Sequence, residues 1–311
     1  MRTSFFSALE LLYAQDRDVV VMTADLGYKL FDPFKEIDAE RFYNMGVAEA
    51  NMIGVAAGLA LCGKKVYCYS ICPFLVMRPF EQIRIDVAYH DLDVKLVAVG
   101  GGLAYGLEGI THHGLEDIAL MRSLPNMTVV VPADPKEAAS FARLSYNHRG
   151  PMYVRLCHTN EPSIHEDEPE IKIGKATVLL EGTDVALLAV GRMVYSAMQA
   201  ASILGSNGIT ASVINMHTIK PLDMDTIEKC CAGHDAIFTI EEHSIVGGLG
   251  SAVAEVISER GYQGIFKRFG VDRTRKYVGC ADYLREKHGL NPEAIAENIK
   301  AILRERRQDG N

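Results

Sequence analysis

Paired cysteines are missing from this sequence of 311 residues: the seven present are an odd number and include no Cys-x-x-Cys spacing. That excludes a disulfide framework and a cysteine zinc site, and a reducing cytoplasm is the expected setting. Positive charge is also scarce. Lys and Arg number 32 against 40 Asp and Glu, a formal balance of −8, which argues against a nucleic-acid-binding face. Apolar runs are short and interrupted by charge, so none is expected to span a membrane. The stretch MRTSFFSALELLYAQDRD carries Glu10 within its apolar part and lacks a small-residue cleavage pattern. It reads as an amphipathic helix, not a signal peptide. Sequence repeats and low-complexity tracts are absent too.

What is present is a globular composition, 48% hydrophobic, on a chain long enough for two ordinary domains. Short β-branched runs recur, each followed by a segment with helical spacing. The strand candidates are DVVVMTADL, KKVYCYSI, DVKLVAVGG, MTVVVPAD and PMYVRL, then DVALLAVG, ITASVINM, AIFTIEE and FKRFGV. Continuously apolar strands alternating with helices imply parallel sheets buried on both faces. Residues 158–172 are polar and acidic with two prolines, and read as a linker. The expected fold is α/β, two doubly wound domains with mainly parallel sheets, over residues 1–157 and 173–311.

One stretch stands out chemically. NMGVAEANMIGVAAGLALCGKK places a single acid, Glu49, at the head of a run from Val47 to Cys62 that is otherwise apolar, small or amide. A carboxylate entering a buried helix is costly unless something specific receives it. The helix dipole favours an anion in the first turn, so a plain cap is one reading and a partner at a site is the other. Ala50, Gly54 and Gly58 recur one turn apart, a small-residue stripe that allows close approach by another backbone. Gly63 supplies a C-terminal stop.

The second stretch is GGGLAYGLEGITHHGLEDIALMRSLPNMTVVVPADP, which follows the strand DVKLVAVG. Ligands gather at the carboxyl ends of strands in open α/β sheets. Five glycines between Gly100 and Gly109 are followed closely by His112, His113, Glu116 and Asp117, with Glu108 among them. A surface loop or a helix cap would also account for the His pair. No spacing here has the HExxH logic of a metal site, and no metal ligand is assigned within the chain.

Taken together, the two stretches resemble transketolase, in its pyrimidine-binding and C-terminal domains, and the corresponding half of deoxyxylulose-phosphate synthase. The resemblance runs in order through TADLG, GVAEANMIGVAAGLA, YSICPFLVMRPFEQIR, EGITHHGLEDIALMRSLPNMTVVVPADP, GPMYVRL, HTIKPLD and EEHSIVGGLGSAVAEVI. It implies a thiamine-diphosphate enzyme in which Glu49 faces the cofactor's aminopyrimidine across a subunit interface. A carboxyl in a dry site has its pKa pushed upward and so shares a proton with a ring nitrogen. By the same resemblance Phe74 stacks on the aminopyrimidine, Asp25 and Leu26 form a loop near the thiazolium, and Arg78 lies close to the cofactor. His112 is the second catalytic residue and meets the donor sugar, since neutral imidazole both donates and accepts. Glu108 stands where an Asp meets a substrate hydroxyl, and Arg155 where an arginine contacts substrate phosphate. Lys29 replaces a small hydroxyl residue.

Two departures from the family shape the expected function. Phosphate-using relatives carry a His or an Arg near the start of the glycine loop, where this chain has Gly100, Gly101 and Gly102. Without those charge-assisted bonds to a phosphoryl group, an unusual donor or acceptor is expected, with Lys29 as a partial substitute. The family's first domain, whose Gly-Asp-Gly motif holds Mg²⁺ and the diphosphate, is also missing, and no such tripeptide occurs here. The expectation is a C-terminal subunit of a split transketolase that transfers a two-carbon ketol unit between sugars or sugar phosphates. An N-terminal subunit would provide the diphosphate and Mg²⁺ (or Ca²⁺) site in an α₂β₂ assembly. Kept open are the β subunit of a 2-oxo acid dehydrogenase's decarboxylating component, an acyloin-forming enzyme of the deoxyxylulose-phosphate type, and a non-catalytic assembly subunit. GGLGSAVAEV looks like a dinucleotide-type turn but lacks the acidic residue about 20 positions on. Packing accounts for it, and His243 in EEH is left without a role.

Overall fold

The structure, a computed structural model, describes residues 1–158, 161–272 and 277–309. Among them, twelve strands form two sheets. The first holds β1 (Val19–Thr23), β2 (Phe42–Asn44), β3 (Lys65–Ile71), β4 (Val94–Val99), β5 (Thr128–Val130), β6 (Met152–Leu156) and a late strand, β10 (Thr218–Lys220). Their order is β10-β5-β6-β4-β3-β1-β2, parallel except for β10. The second sheet holds β7 (Thr177–Leu180), β8 (Val185–Ala189), β9 (Ala211–Asn215), β11 (Ala236–Ser244) and β12 (Ile265–Val271), in the order β12-β11-β8-β9-β7 with β7 antiparallel. The α/β architecture with mainly parallel sheets is the expected one.

Strand alternation shows why both sheet faces are covered. Val19 and Val21 join an apolar cluster with Phe5, Phe6 and Leu9 of the helix Arg2–Gln15. Val20 and Met22 point the other way, into a cluster with Met52, Ile53 and Ala56 of the helix Glu49–Leu61. A side-chain period of two on a strand buried on both sides leaves no polar face. The cluster around Met52 continues through Val131 to Ile214, Ile237 and Leu249. The two sheets therefore share one core, and β10 adds a strand from the second half of the chain to the first sheet.

The segment between β6 and β7 holds residues 158–172. Its described part is tied down: Asp134 accepts from the backbone amides of Ile164 (2.9 Å) and His165 (2.8 Å) and lies 3.0 Å from the His165 ring. Among the described residues, no helix is long and apolar enough to cross a membrane.

Chain order reverses around β1, with β2 on one side and β3 on the other. Ligand crevices open at such switch points, at the carboxyl ends of the strands. The predicted residues sit there: Asp25, Leu26 and Lys29 after β1, Glu49 after β2, Phe74 and Arg78 after β3, and Glu108 and His112 after β4. Arg155 is the exception, lying inside β6.

Candidate functional site

Glu49 is the first residue of its helix, and the terminus has no side-chain cap; its carboxylate is turned elsewhere. It is 3% exposed and receives Arg78 Nη1 on both oxygens, at 3.1 and 2.9 Å. Ser70 Oγ, on β3, lies 3.5 Å from Oε1. The plain cap is therefore not what Glu49 provides. Gly63 ends the helix as expected, at φ +86, with its amide on Ala60 O and that of Lys64 on Leu59 O, the paired bonds of a Schellman turn.

Arg78 links Glu49 to the rest of the site. Its guanidinium lies over the Phe74 ring, 4.3 Å from the centroid, while the side chain stays 48% exposed. Phe74 is half-buried, whereas its neighbour Leu75 is fully buried, so the aromatic face of this turn belongs to Phe74. The Phe74 ring meets His112 edge to face, centroids 5.0 Å apart. Four predicted residues, Glu49, Arg78, Phe74 and His112, thus form one unbroken row.

The His pair divides its roles. His113 is buried, its Nε2 is 3.3 Å from Gly106 O, and burial lowers its pKa. His112 is half-buried, with Nδ1 2.9 Å from Thr111 Oγ1. Tyr105 and His158 extend the row: ring centroids are 5.9 Å apart for Tyr105–His112 and 4.6 Å for Tyr105–His158. Sequence reasoning missed Ser70, Tyr105 and His158. Their positions just inside or after strand ends were the available signal.

Asp25 sits in the left-handed region, at φ +57. Asn44 at the end of β2 holds it there, accepting from the Asp25 amide at 3.0 Å and donating to its carboxylate at 2.9 Å. Thr23 Oγ1 bonds Leu26 O at 3.0 Å, closing the turn. Lys29, also left-handed, is exposed beside Tyr28. Glu108 is exposed on the turn Gly106–Thr111.

Arg155 is elsewhere, and its expected contact with a substrate phosphate is corrected by its burial. It is 5% exposed. Nε bonds Asp117 Oδ2 at 2.8 Å, and Nη2 bonds the carbonyls of Gly114 (2.7 Å) and Glu242 (2.9 Å). Burial alone would raise the Asp117 pKa, but the Arg155 charge, His243 and hydrogen bonds from Tyr153 and Cys72 together outweigh it and the net shift is downward. Gly101 is crowded from this side: an added Cβ would lie 2.6 Å from Arg155 Nε. The glycines that stand in place of phosphate donors are those a tight framework requires.

The glycine turn of the second half has a similar cause. Glu241 accepts from the amides of Leu249 (2.8 Å) and Gly250 (2.7 Å) at the start of the helix Leu249–Glu259. A Cβ on Gly248 would fall 2.0 Å from Glu241 Oε2. The turn packs on its own strand, as expected. Burial pushes the Glu241 carboxyl up to about 7. His243 is fully buried, 3.9 Å from Asp117 Oδ1 and 3.8 Å from Glu241, and burial lowers it to about 4. Among the described residues, no group of three or more His, Cys, Asp or Glu could hold a metal ion.

Residues 1–162 match the family model of the transketolase pyrimidine-binding domain, and residues 174–295 match that of the transketolase C-terminal domain. The chain is 42% identical over 306 residues to a subunit of the apulose-4-phosphate transketolase of Phocaeicola vulgatus, covering 97% of each. It is 41% identical over 302 residues to a putative transketolase C-terminal section of Methanocaldococcus jannaschii, covering 96% of this chain and 95% of that one. A solved split-gene transketolase, described as an inactive beta4 tetramer, superposes with a TM-score of 0.89 at 37% identity, over 96% of this chain and 97% of its own.

Proposed function

The chain belongs to the transketolase family, and on that premise we propose that it is the C-terminal subunit of a split, thiamine-diphosphate-dependent transketolase. The reaction is transfer of a two-carbon ketol unit from a ketose to an aldose. The observation that carries this reading is the row Glu49–Arg78–Phe74–His112.

The row fits the pyrimidine end of the cofactor. A planar cation already lies between the Glu49 carboxylate and the Phe74 face, donating to one and stacking on the other. A flat heteroaromatic ring with N–H donors asks for the same two partners. Glu49 would hold the ring edge, Phe74 its face, and the Asp25–Leu26 turn the neighbouring ring, with Arg78 balancing the Glu49 charge. When bound, thiamine diphosphate supplies a stabilised carbon nucleophile that carries the two-carbon unit. Glu49 holds and releases a proton at its carboxylate edge. With Nδ1 engaged by Thr111, His112 keeps Nε2 for a substrate hydroxyl or carbonyl oxygen. Exposed Glu108 and Lys29 are the remaining substrate contacts in this reading.

The diphosphate and its Mg²⁺ (or Ca²⁺) belong to an N-terminal subunit in an α₂β₂ assembly. The absence of Gly-Asp-Gly from this sequence supports this, as does the description of a related subunit as an inactive beta4 tetramer. Sugars or sugar phosphates are the substrate class, in keeping with the phosphorylated sugar named for the Phocaeicola relative. Seven unpaired cysteines fit a cytoplasmic setting.

The test is reconstitution with a Gly-Asp-Gly-bearing N-terminal subunit, followed by ketol-transfer assays on xylulose 5-phosphate with ribose 5-phosphate and on unphosphorylated sugars. Transfer by the complex, and none by the chain alone, is the expected result. Pyruvate decarboxylation in its place would move the chain to the 2-oxo acid dehydrogenase class.

A further inference from the structure

The loop that carries His112 is closed at a narrow neck. Gly102 and Gly114 exchange backbone hydrogen bonds at 2.8 and 2.9 Å, so residues 102–114 leave and return at one point. A side chain from the other half of the molecule sits at that point. Glu242 Oε1 accepts from the Leu103 amide at 2.6 Å, and Arg155 Nη2 joins Gly114 O to the Glu242 carbonyl, at 2.7 and 2.9 Å. The fit leaves no slack: a Cβ on Gly102 would lie 2.5 Å from Glu242 Oε1.

Strand geometry explains how one segment serves two purposes. Successive residues on β11 face opposite sides. Glu241 turns to the helix of its own domain, and Glu242 turns to the first domain's loop. Arg285, of the helix Ala281–Lys287, holds the far Glu242 oxygen through Nε and is itself 6% exposed. Its Nη1 is fixed by Asp282 at 2.6 Å. The carboxylate at the neck is therefore aimed from behind.

We propose that Glu242 is a positioning residue for ketol transfer: oriented by Arg285, it pins the neck of the 102–114 loop and so sets where His112 meets the donor sugar. This rests on the transketolase reading of the site. His112 lies two residues from Gly114, whereas Glu49 and Phe74 stand on the helices Glu49–Leu61 and Cys72–Met77. Releasing the neck therefore acts on donor binding and spares the cofactor's pyrimidine contacts.

The experiment uses E242Q, which keeps an acceptor for Leu103, and the double variant E242L/R285L, which leaves no buried charge unpaired. In the reconstituted complex, E242L/R285L raises the donor-ketose KM at least tenfold and changes thiamine diphosphate affinity less than twofold, with E242Q intermediate. In the full chain alone, hydrogen exchange at the amides of residues 103–114 quickens at least tenfold, while the helix Glu49–Leu61 is unchanged. Unaltered loop exchange overturns the pin, whatever the complex does. Unaltered donor KM, or a parallel loss of cofactor affinity, overturns the positioning role. A wild-type complex without ketol transfer would refute the functional reading separately, and the exchange measurement then decides the pin by itself.

Discussion

Arg78 grips Glu49 with one nitrogen on two oxygens, at 2.9 and 3.1 Å, although Glu49 is 3% exposed and the arginine side chain is 48% exposed. A buried carboxylate is thus compensated by a cation that itself reaches solvent, so replacing Glu49 strands no buried charge. A half-exposed ion pair contributes about 1 kcal/mol or less. Glu49→Gln should accordingly shift the melting temperature of the chain by only about 2–4 °C while cutting ketol transfer by at least about 100-fold. Thermal unfolding, gel filtration of the complex and the transfer assay measure the three. Retained activity with intact assembly would remove Glu49 from the chemistry and favour the scaffold reading.

The adjacent histidines should separate cleanly. His112→Ala removes a half-buried ring facing Phe74, and about 10²–10⁴-fold in kcat/KM for the ketose is expected to go with it, with stability nearly unchanged. His113→Ala removes a buried ring bonded to Gly106 O. It should lower the unfolding midpoint by about 1–3 kcal/mol in stability and reduce activity only through loss of folded protein. Paired denaturation and kinetic measurements would expose the opposite pattern if the roles were exchanged.

Burial sets the pH response of His243. Its folded pKa, about 4, lies below the ordinary value of 6.5, so the unfolded chain takes up a proton first as pH falls. Stability from this residue is complete above about pH 6.5 and is lost on descending toward 4. Glu241 has the opposite sign: raised to about 7, it makes folding less favourable as pH rises from 4.5 to 7. The two slopes oppose each other in the wild type. The difference between wild type and His243→Leu isolates the histidine. Whatever its size at pH 7, that difference should move in favour of the leucine variant by about 2 kcal/mol on going to pH 5, read from urea midpoints. A pH-independent difference would mean that His243 titrates normally.

Which parts were legible in advance follows from the range of the interactions. Glu49 is legible as a lone acid at the head of an apolar helical run, and Phe74 and His112 as members of short motifs that follow the apolar strands β3 and β4, patterns local in the chain. Arg155 was misassigned because VRL reads alike whether the guanidinium faces a crevice or a core. The deciding partners, Asp117 and the Glu242 carbonyl, lie 38 and 87 residues away. The strands β2, β7 and β10 went unseen since three or four residues carry too little periodicity, and β10 owes its place to a sheet built by the other half of the chain. EEH offered two acids in a row with no sign that a pleat sends them to different domains.

The small-residue stripe was expected to admit another backbone, and among the described residues none is there: a Cβ on Gly54 or Gly58 meets nothing within 4 Å. Val55 and Leu61 on the same helix are 38% and 69% exposed. Glycines in an exposed helix interior cost about 1 kcal/mol each relative to alanine, a cost with no return in the isolated subunit. In the proposed assembly the return is expected from a helix or strand of another subunit seated against the stripe beside Glu49. Gly54→Ala/Gly58→Ala should therefore raise the melting temperature of the chain alone. Gly54→Leu/Gly58→Leu should leave the chain folded while preventing the complex from forming. Light scattering on the reconstituted mixture reads the second outcome. Full-size assembly by the leucine variant would place the subunit contact on another face and leave the two glycines unexplained.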